Sequence, residues 1–247
     1  MTGAHAPKGE NRMIPVIAID GPAGTGKSTT AREVARQMGW AYVDSGAYYR
    51  VAALLALRHD VDLTRTESRA LLRERLAAVR IDQEIVGGRL HIRLDGNDVT
   101  DGIRTPIVTS IVSRVADDAA LRDIVNDDLR GRVDGGPAVV DGRDIGTVVF
   151  PEAFLKIYLD ASLDVRAQRR AREEESVERR NDPTVLASYA QSLAERDRAD
   201  RERGTAPLAA APDAVRIDTS LLDVATQVAR VLRLAHAGRL TLERGNG

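Results

Sequence analysis

Near its start the chain contains Gly21-Pro22-Ala23-Gly24-Thr25-Gly26-Lys27-Ser28-Thr29, which matches the pattern GxxxxGK[ST]. The apolar, β-branched run at 15–20 predicts a buried strand just before it, and the apolar spacing of 29–38 predicts a helix just after it. Glycines in such a turn let successive backbone N–H groups surround phosphate oxygens, and the helix N-terminus adds its positive end. The flanks therefore favour a phosphate-binding loop over a glycine-rich turn that matches by accident.

The pattern also predicts the roles of two side chains. In a loop of this kind Lys27 would reach the β- and γ-phosphates of a nucleoside triphosphate, and the Ser28 hydroxyl would hold Mg²⁺. We therefore expect a catalytic lysine and a metal ligand next to each other.

The rest of the chain repeats a strand, turn and helix rhythm, which is typical of a parallel sheet with crossover helices. Further strands are predicted at 40–43, 137–141, 154–159 and 214–217, with helices at 48–58, 121–133, 162–178 and 184–203 among others. From about 60 to 104 the sequence pattern changes, because a charged predicted helix at 65–78 is followed by a run at 89–94 in which polar and apolar residues alternate. This segment predicts a small appended unit that contains a β-hairpin. The order of the strands does not follow from the sequence.

Composition narrows the function class. The 247 residues contain no cysteine, which excludes disulfides and thiolate metal sites and favours a cytoplasmic protein. The longest apolar run, 51–57, is too short to cross a bilayer, so no membrane partner is expected. A net charge of -1 and 3% aromatic residues argue against a nucleic-acid binder.

Arginine placement is a second clue, since lysine occurs only at 8, 27 and 156. Arg50 follows the turn at 44–46, and Arg143 follows the strand at 137–141. Three more arginines lie on one face of the helix predicted from 162: Arg166, Arg169 and Arg170. Guanidinium groups bind phosphate in a bidentate manner, which suits phosphorylated substrates. For the helix group, a solvated face paired with Glu173 to Glu175 is an equal alternative.

Asp141 and the charged stretch at 195–203 can be interpreted from their positions in the predicted elements. Asp141 ends an apolar strand, where parallel sheets bind ligands, and could orient a Mg²⁺-bound water or a phosphate-binding arginine. The alternative is a turn-forming aspartate before Gly142. In the stretch 195–203 the spacing of Arg196, Asp200 and Arg203 along one helical face favours a salt-bridged surface helix.

Further motifs follow the phosphate loop in unbroken order. They are Asp44-Ser45-Gly46-Ala47-Tyr48-Tyr49-Arg50, Ile103-Arg104-Thr105, Asp141-Gly142-Arg143-Asp144-Ile145-Gly146-Thr147-Val148-Val149-Phe150-Pro151, Glu195-Arg196-Asp197, Arg203 and Ala206-Pro207-Leu208. From about residue 15 to 217 the chain thereby resembles the bacterial cytidylate kinases. The resemblance implies an α/β P-loop nucleoside-monophosphate kinase fold with a five-stranded parallel sheet. It places a kinase domain at 14–236, with a nucleotide-binding insert at about 60–104 and a mobile lid at about 162–182, between a disordered tail at 1–13 and a C-terminal tail at 237–247.

The resemblance also gives the charged positions roles. It implies contacts to the acceptor phosphate from Arg50 and Arg143, to cytosine from Ser45, Ser113, Arg122, Asp144 and Arg203, and to ribose from Arg196 and Asp200. It implies that Arg166, Arg169 and Arg170 close over the ATP phosphates, with Arg169 joining residues 21–29 in binding ATP. The expected catalytic residues are Lys27, Asp141, Arg143, Arg166 and Arg170.

The activity implied is transfer of the γ-phosphoryl group of MgATP to CMP or dCMP by a monomer. Another small P-loop kinase, with a different nucleotide or metabolite as acceptor, is the nearest alternative. A regulatory GTPase is disfavoured because its Asn-Lys-x-Asp motif cannot be written with lysine only at 8, 27 and 156. A nucleic-acid-linked ATPase is disfavoured by the net charge.

Overall fold

A computed structural model describes residues 14–245, and side chains within 15–238. The predicted tail at 1–13 lies outside the described residues. Eight strands form two sheets: β1 (Ile14–Asp20), β2 (Ala41–Asp44), β3 (Ile81–Val86), β4 (Arg89–Leu94), β5 (Asn97–Asp98), β6 (Ala138–Gly142), β7 (Ala153–Asp160) and β8 (Val215–Asp218). The larger sheet has the order β2-β6-β1-β7-β8, and its strands all run parallel. The predicted α/β class with a five-stranded parallel sheet is confirmed.

Eight helices accompany the strands over the described residues. They are α1 (Lys27–Met38), α2 (Ser45–Arg58), α3 (Thr66–Ala78), α4 (Pro106–Ala116), α5 (Ala119–Val133), α6 (Leu163–Glu174), α7 (Pro183–Glu202) and α8 (Val224–Gly245). Helix α8 continues past residue 236 through most of the segment predicted as a C-terminal tail. Within residues 14–245 no helix combines the length and apolar composition that crossing a membrane requires.

The core fills both faces of the large sheet, because successive side chains of a strand point to opposite faces. On β1, Val16 and Ala18 join a cluster with buried residues of α2, α4 and α5, whereas Ile17 and Ile19 join a cluster with α1 and α8. On the predicted apolar face of α1, Ala31, Val34 and Ala35 are buried in the second cluster, and Met38 packs against it partly buried.

The segment at 60–104 contains the predicted hairpin as part of an antiparallel sheet of order β3-β4-β5. Its buried side chains, such as Leu72 and Ile92, belong to the same cluster as α2 and α4. A reciprocal pair of hydrogen bonds, both 2.9 Å, joins the Gln83 side-chain amide to the backbone N–H and carbonyl of Asp44. The insert is thereby attached to the turn that begins α2.

The register of the large sheet brings three aspartates to one edge. Asp20 pairs with Gly142 across β1 and β6, and Asp44 pairs with Asp141 across β2 and β6. The carboxyl ends of parallel strands are where α/β sheets bind ligands. Most of the charged residues singled out in the sequence line one cleft at this edge.

Candidate active site

The phosphate loop joins β1 to α1 and depends on glycine at two positions. At Gly21, φ is 144°, and a Cβ atom would lie 2.0 Å from the Leu159 carbonyl oxygen. At Gly26, which caps α1, φ is 90°. Both conformations are left-handed, so side chains at these positions would strain the backbone. The loop therefore requires glycine at both positions.

Lys27 lies at the base of this loop and is nearly inaccessible. Its Nζ donates a hydrogen bond of 2.7 Å to the Pro22 carbonyl. Burial, followed by the charge of Arg143, lowers the pKa of Lys27 well below its usual range. An anion bound between Lys27 and Arg143 would offset that repulsion, so the pair favours a phosphate ligand.

Ser28 begins a short polar chain that crosses the sheet edge. Its hydroxyl donates a hydrogen bond of 2.8 Å to one Asp141 carboxylate oxygen, and the Tyr42 hydroxyl donates one of 2.8 Å to the other. Burial, with the nearby charge of Asp44, raises the pKa of Asp141 to about 7. Asp141 lies inside β6 and is 3% exposed, so its interpretation as a turn residue is wrong.

A cleft of about 200 Å³ opens beside Ser28 and Lys27. Eight of its lining side chains are cationic: Lys27, Arg50, Arg104, Arg122, Arg143, Arg170, Arg196 and Arg203. Four are carboxylates: Asp44, Asp141, Asp144 and Asp200. The whole chain has a net charge of -1, so the positive excess is local to the cleft. Such a lining favours polyanionic substrates.

A buried ion pair between Arg122 and Asp144 also lines this cleft. The two residues are 2% and 4% exposed. The Arg122 guanidinium stacks over the Tyr49 ring at 5.2 Å, and its Nη1 donates to the Ala116 carbonyl at 3.2 Å. These contacts fix one donor and one acceptor, Arg122 and Asp144, side by side.

Asp20 holds the segment that follows Asp144. Its carboxylate accepts hydrogen bonds from the backbone N–H groups of Ile145 and Gly146, at 2.9 and 2.8 Å. Burial raises the pKa of Asp20 to about 6, against the lowering effect of those two bonds. Asp20 thereby links the end of β1 to the loop that carries Arg143 and Asp144.

Helix α7 turns its charged face inward. Asp200 accepts a hydrogen bond of 2.9 Å from Arg143 Nε and one of 2.6 Å from Arg203 Nη2, and it is 3% exposed. Arg203 is also buried, and Arg196 is half-buried in the cleft wall. The interpretation of 195–203 as a surface helix is therefore wrong for this face. Its buried positions hold ion pairs instead of apolar side chains, which spacing alone does not reveal.

The three arginines of α6 have different surroundings. Arg166 is 5% exposed and donates to the Ala23 carbonyl at 3.2 Å and to the buried Asp197 carboxylate at 2.6 Å. Arg169 donates to the Thr219 carbonyl at 2.6 Å. Arg170 alone lines the cleft, and it pairs with Glu173 and Glu174 on its own helix. The predicted solvated pairing thus describes Arg170, whereas Arg166 is a buried bridge between the phosphate loop and α7.

Most predicted site residues meet in this cleft. Those that line it are Ala23, Gly24, Lys27, Ser28, Ser45, Arg50, Ser113, Arg122, Asp141, Arg143, Asp144, Arg170, Arg196, Asp200 and Arg203. Those that do not are Gly21, Pro22, Thr25, Gly26, Thr29, Arg166 and Arg169. Lining residues that the sequence interpretation did not assign are Asp44, Gly46, Tyr49, Arg104, Val112, Ala116 and Gly142. Asp44, Tyr49 and Arg104 lie within the family motifs quoted above, and that position in the motifs is the sequence signal that could have identified them as site residues.

Comparisons with known proteins identify the family of the chain. The sequence model of the family described as Cytidylate kinase matches residues 17–237. A cytidylate kinase from Pelotomaculum thermopropionicum is 43% identical over 231 residues, covering 92% of this chain and 98% of the relative. One from Pseudomonas fluorescens is 41% identical over 226 residues, covering 90% and 95%. Among solved structures, a shikimate kinase from Bacteroides thetaiotaomicron is 15% identical, covers 90% of this chain and 98% of its own, and has a TM-score of 0.42. On the family match and the identity to these relatives, the chain belongs to the cytidylate kinase family.

Proposed function

We propose that this chain transfers the γ-phosphoryl group of ATP to CMP or dCMP, giving ADP and CDP or dCDP. Family membership supports the reaction class and the acceptor. The observation that carries the proposal is that the phosphate-loop lysine and the buried Arg122–Asp144 pair line one cleft. A phosphate donor and a base-bearing acceptor can therefore be held in the same space.

The reaction needs little acid–base chemistry. A phosphate oxygen of the acceptor attacks the γ-phosphorus, the bond to the β,γ-bridging oxygen breaks, and ADP leaves with that electron pair. The attacking oxygen is already anionic, so catalysis rests on alignment and on neutralising charge. Arg50 and Arg143 would hold the acceptor phosphate, while Lys27 and Arg170 would stabilise charge on the transferred group.

Mg²⁺ is proposed as the ion that accompanies ATP. This ion prefers oxygen ligands, keeps several waters, and is bound by one or two protein groups together with substrate phosphates. The Ser28 hydroxyl and the Asp141 carboxylate, 2.8 Å apart at the end of the phosphate loop, fit that preference. When bound, Mg²⁺ would offset negative charge on the phosphate oxygens. Tyr42 orients the Asp141 carboxylate for this role through its own hydrogen bond.

Base selection would use the Arg122–Asp144 pair. Cytosine presents an amino donor at N4 and an acceptor at N3, whereas uracil presents an oxygen and an N–H at the corresponding positions. Asp144 facing N4 and Arg122 facing N3 would match cytosine and leave uracil with unmatched buried groups, each of which costs about 1–3 kcal/mol. In the structure the two side chains form an ion pair with each other.

We further propose that the protein works as a monomer in the cytoplasm on small-molecule substrates. One chain supplies both the phosphate loop and the Arg122–Asp144 pair that the proposed reaction uses. ATP and nucleoside monophosphates are small, multiply charged molecules, and the local positive excess suits them.

The decisive assay measures ADP formation from MgATP with each nucleoside monophosphate in turn. CMP and dCMP are expected to be the best acceptors. Lys27→Met should retain the fold and CMP binding but lower turnover by about 10²-fold or more, because it removes a transition-state contact. Arg36→Met is the matched control, since Arg36 is exposed on the same helix and pairs with Glu33. Faster turnover of another acceptor, or a near-normal Lys27→Met variant, would contradict the proposal.

A further inference from the structure

Helix α5 begins with the turn that carries Arg122, and Asp118 caps this turn. The Asp118 side chain accepts a hydrogen bond of 3.0 Å from the Leu121 backbone N–H, and its carbonyl accepts one of 3.0 Å from the Arg122 N–H. The connection from α4 also contacts the Arg122 guanidinium, since the Ala116 carbonyl accepts a bond of 3.2 Å from Arg122 Nη1. The position of Arg122 in the cleft therefore depends on the conformation of residues 116–118.

Arg73, from helix α3 of the insert, binds the same cap. Its Nη2 donates to one Asp118 carboxylate oxygen at 2.8 Å, and its Nε donates to the two oxygens at 2.9 and 3.1 Å. The carboxylate is buried, whereas the arginine is partly exposed. A guanidinium that binds both oxygens fixes the orientation of a carboxylate more strictly than a single ammonium group does.

The ion pair keeps the buried cap charged. Burial raises the pKa of Asp118, but the hydrogen bonds from Arg73 and from the Leu121 N–H outweigh that effect and hold the pKa below its ordinary value. Without Arg73 the carboxylate would lose its hydrogen-bonded cation, which favours its rotation toward water. Rotation would break the cap and loosen the turn that carries Arg122.

The contact joins the insert to the part of the cleft that would select the base. Arg73 lies outside the cleft, whereas Arg122 lines it and is paired with Asp144. The ion pair, the helix cap and the first turn of α5 form a continuous path between the two arginines.

We propose that Arg73 is a positioning residue for base selection, because through Asp118 it holds Arg122 in the orientation that recognises cytosine. The proposal rests on the proposed function, since it takes Arg122 as the donor that faces N3 of cytosine. Displacing this donor removes an interaction that cytosine can make and uracil cannot. The loss should therefore fall mainly on CMP.

The test measures kcat/KM for CMP and for UMP with saturating MgATP, together with urea unfolding. Arg73→Ala should lower the ratio of CMP to UMP by about 3- to 10-fold, the size of effect expected from a residue that acts through its contacts. Arg73→Lys should restore part of the ratio, since it keeps the charge and loses the two-oxygen contact. Arg80→Ala is the matched control and should leave the ratio unchanged, because Arg80 belongs to the same insert, lies outside the cleft and forms an exposed ion pair with Asp82.

A second variant separates the ion pair from the cap. Asp118→Asn keeps a side-chain oxygen for the Leu121 N–H and removes the anion that Arg73 binds. Its ratio of CMP to UMP should fall as in Arg73→Ala, and the double variant should fall no further. Fully additive losses in the double variant would show that the two residues act independently and would overturn the proposal.

The remaining outcomes distinguish this proposal from the proposed function. An unchanged ratio in Arg73→Ala, with a wild type that prefers CMP, would overturn the positioning role and leave the proposed function intact. Equal losses for CMP and UMP, with lower stability, would make Arg73 a structural residue only. A wild type without a preference for CMP would overturn both. If Arg73→Ala does not fold, Arg73→Lys and Asp118→Asn provide the same comparison.

Discussion

The hydroxyl of Ser28 and the carboxylate of Asp141 are joined by a hydrogen bond of 2.8 Å, although 113 positions separate them in the chain. The bond links the first turn of α1 to the end of β6. It places a hydroxyl and a carboxylate side by side next to the phosphate loop, where a nucleotide-bound cation would need them.

Asp141→Asn should raise the Mg²⁺ concentration needed for half-maximal activity and lower kcat by about 10²-fold, because a neutral amide replaces the anionic ligand. The measurement is ADP formation across a Mg²⁺ titration. Tyr42→Phe is the comparison variant, since it removes one hydrogen bond to the same carboxylate and leaves the acidic side chain in place. An Asp141→Asn enzyme with the Mg²⁺ dependence of the wild type would show that this carboxylate does not serve the ion.

Arg166 and Arg170, one helical turn apart, should behave differently when replaced by alanine. Arg166→Ala removes the hydrogen-bonded partner of the buried Asp197 carboxylate, leaving only the 4.0 Å contact with the exposed Arg201, and should lower the free energy of unfolding by about 3 kcal/mol. Arg170→Ala should change stability by less than about 1 kcal/mol, because its pairs are partly exposed, while reducing kcat. Urea unfolding and steady-state kinetics on both variants distinguish the two roles. Equal stability of the two variants would refute the assignment.

The raised pKa of Asp20 predicts that the stability of the fold depends on pH. The pKa is about 6 in the folded protein and 3.8 ordinarily, so folding favours the protonated carboxyl group. This contribution to the free energy of unfolding is complete below pH 3.8 and is lost as pH rises through 6. Between pH 5 and 7.5 the wild type should therefore lose about 1.5 kcal/mol of unfolding free energy relative to Asp20→Asn, which does not titrate. Urea unfolding of both proteins at several pH values gives this difference. A constant difference across that range would mean that Asp20 titrates normally.

The segment at about 162–182 remains a proposed lid. Its second half, after α6 ends at Glu174, is mostly exposed and lies between two helices. Backbone amides there should exchange hydrogen quickly in the free protein and more slowly when ATP and CMP analogues are both bound. The five-stranded sheet serves as the internal reference, since its exchange should change little. Equal protection of the segment with and without ligands would argue against a lid.

Local elements of this fold were predictable because periodicity and turn chemistry act over a few residues. The strand at 15–20 and the helix at 29–38 were found with boundaries shifted by at most two residues. The order β2-β6-β1-β7-β8 was not predictable, since it depends on how crossover helices cover each face. The insert was expected as an appended unit, yet Leu72 and Ile92 pack into the main core.

The site residues, like the elements of the fold, were predictable where a short motif determines their roles. Lys27 and Ser28 were identifiable because the loop geometry fixes their roles within one short motif. The face of α7 with Asp200 and Arg203 was misread from spacing, because buried ion pairs look like surface charges in a sequence. Arg166 was grouped with Arg170 for the same reason. Its burial and its contact with Asp197, from another helix, are visible only in the folded structure.

We propose that the Asp144 carboxylate in this cleft recognises cytosine, and the Asp144→Ala variant tests this proposal most directly. The measurement is kcat/KM for CMP and for UMP with saturating MgATP, in the wild type, in Asp144→Ala, and in the control Asp123→Ala, whose side chain is exposed on α5 outside the cleft. Removing the acceptor proposed to face N4 should lower kcat/KM for CMP by about 10-fold or more beyond any change for UMP. A ratio of CMP to UMP that stays at the wild-type value, in a variant with measurable activity, would contradict the claim.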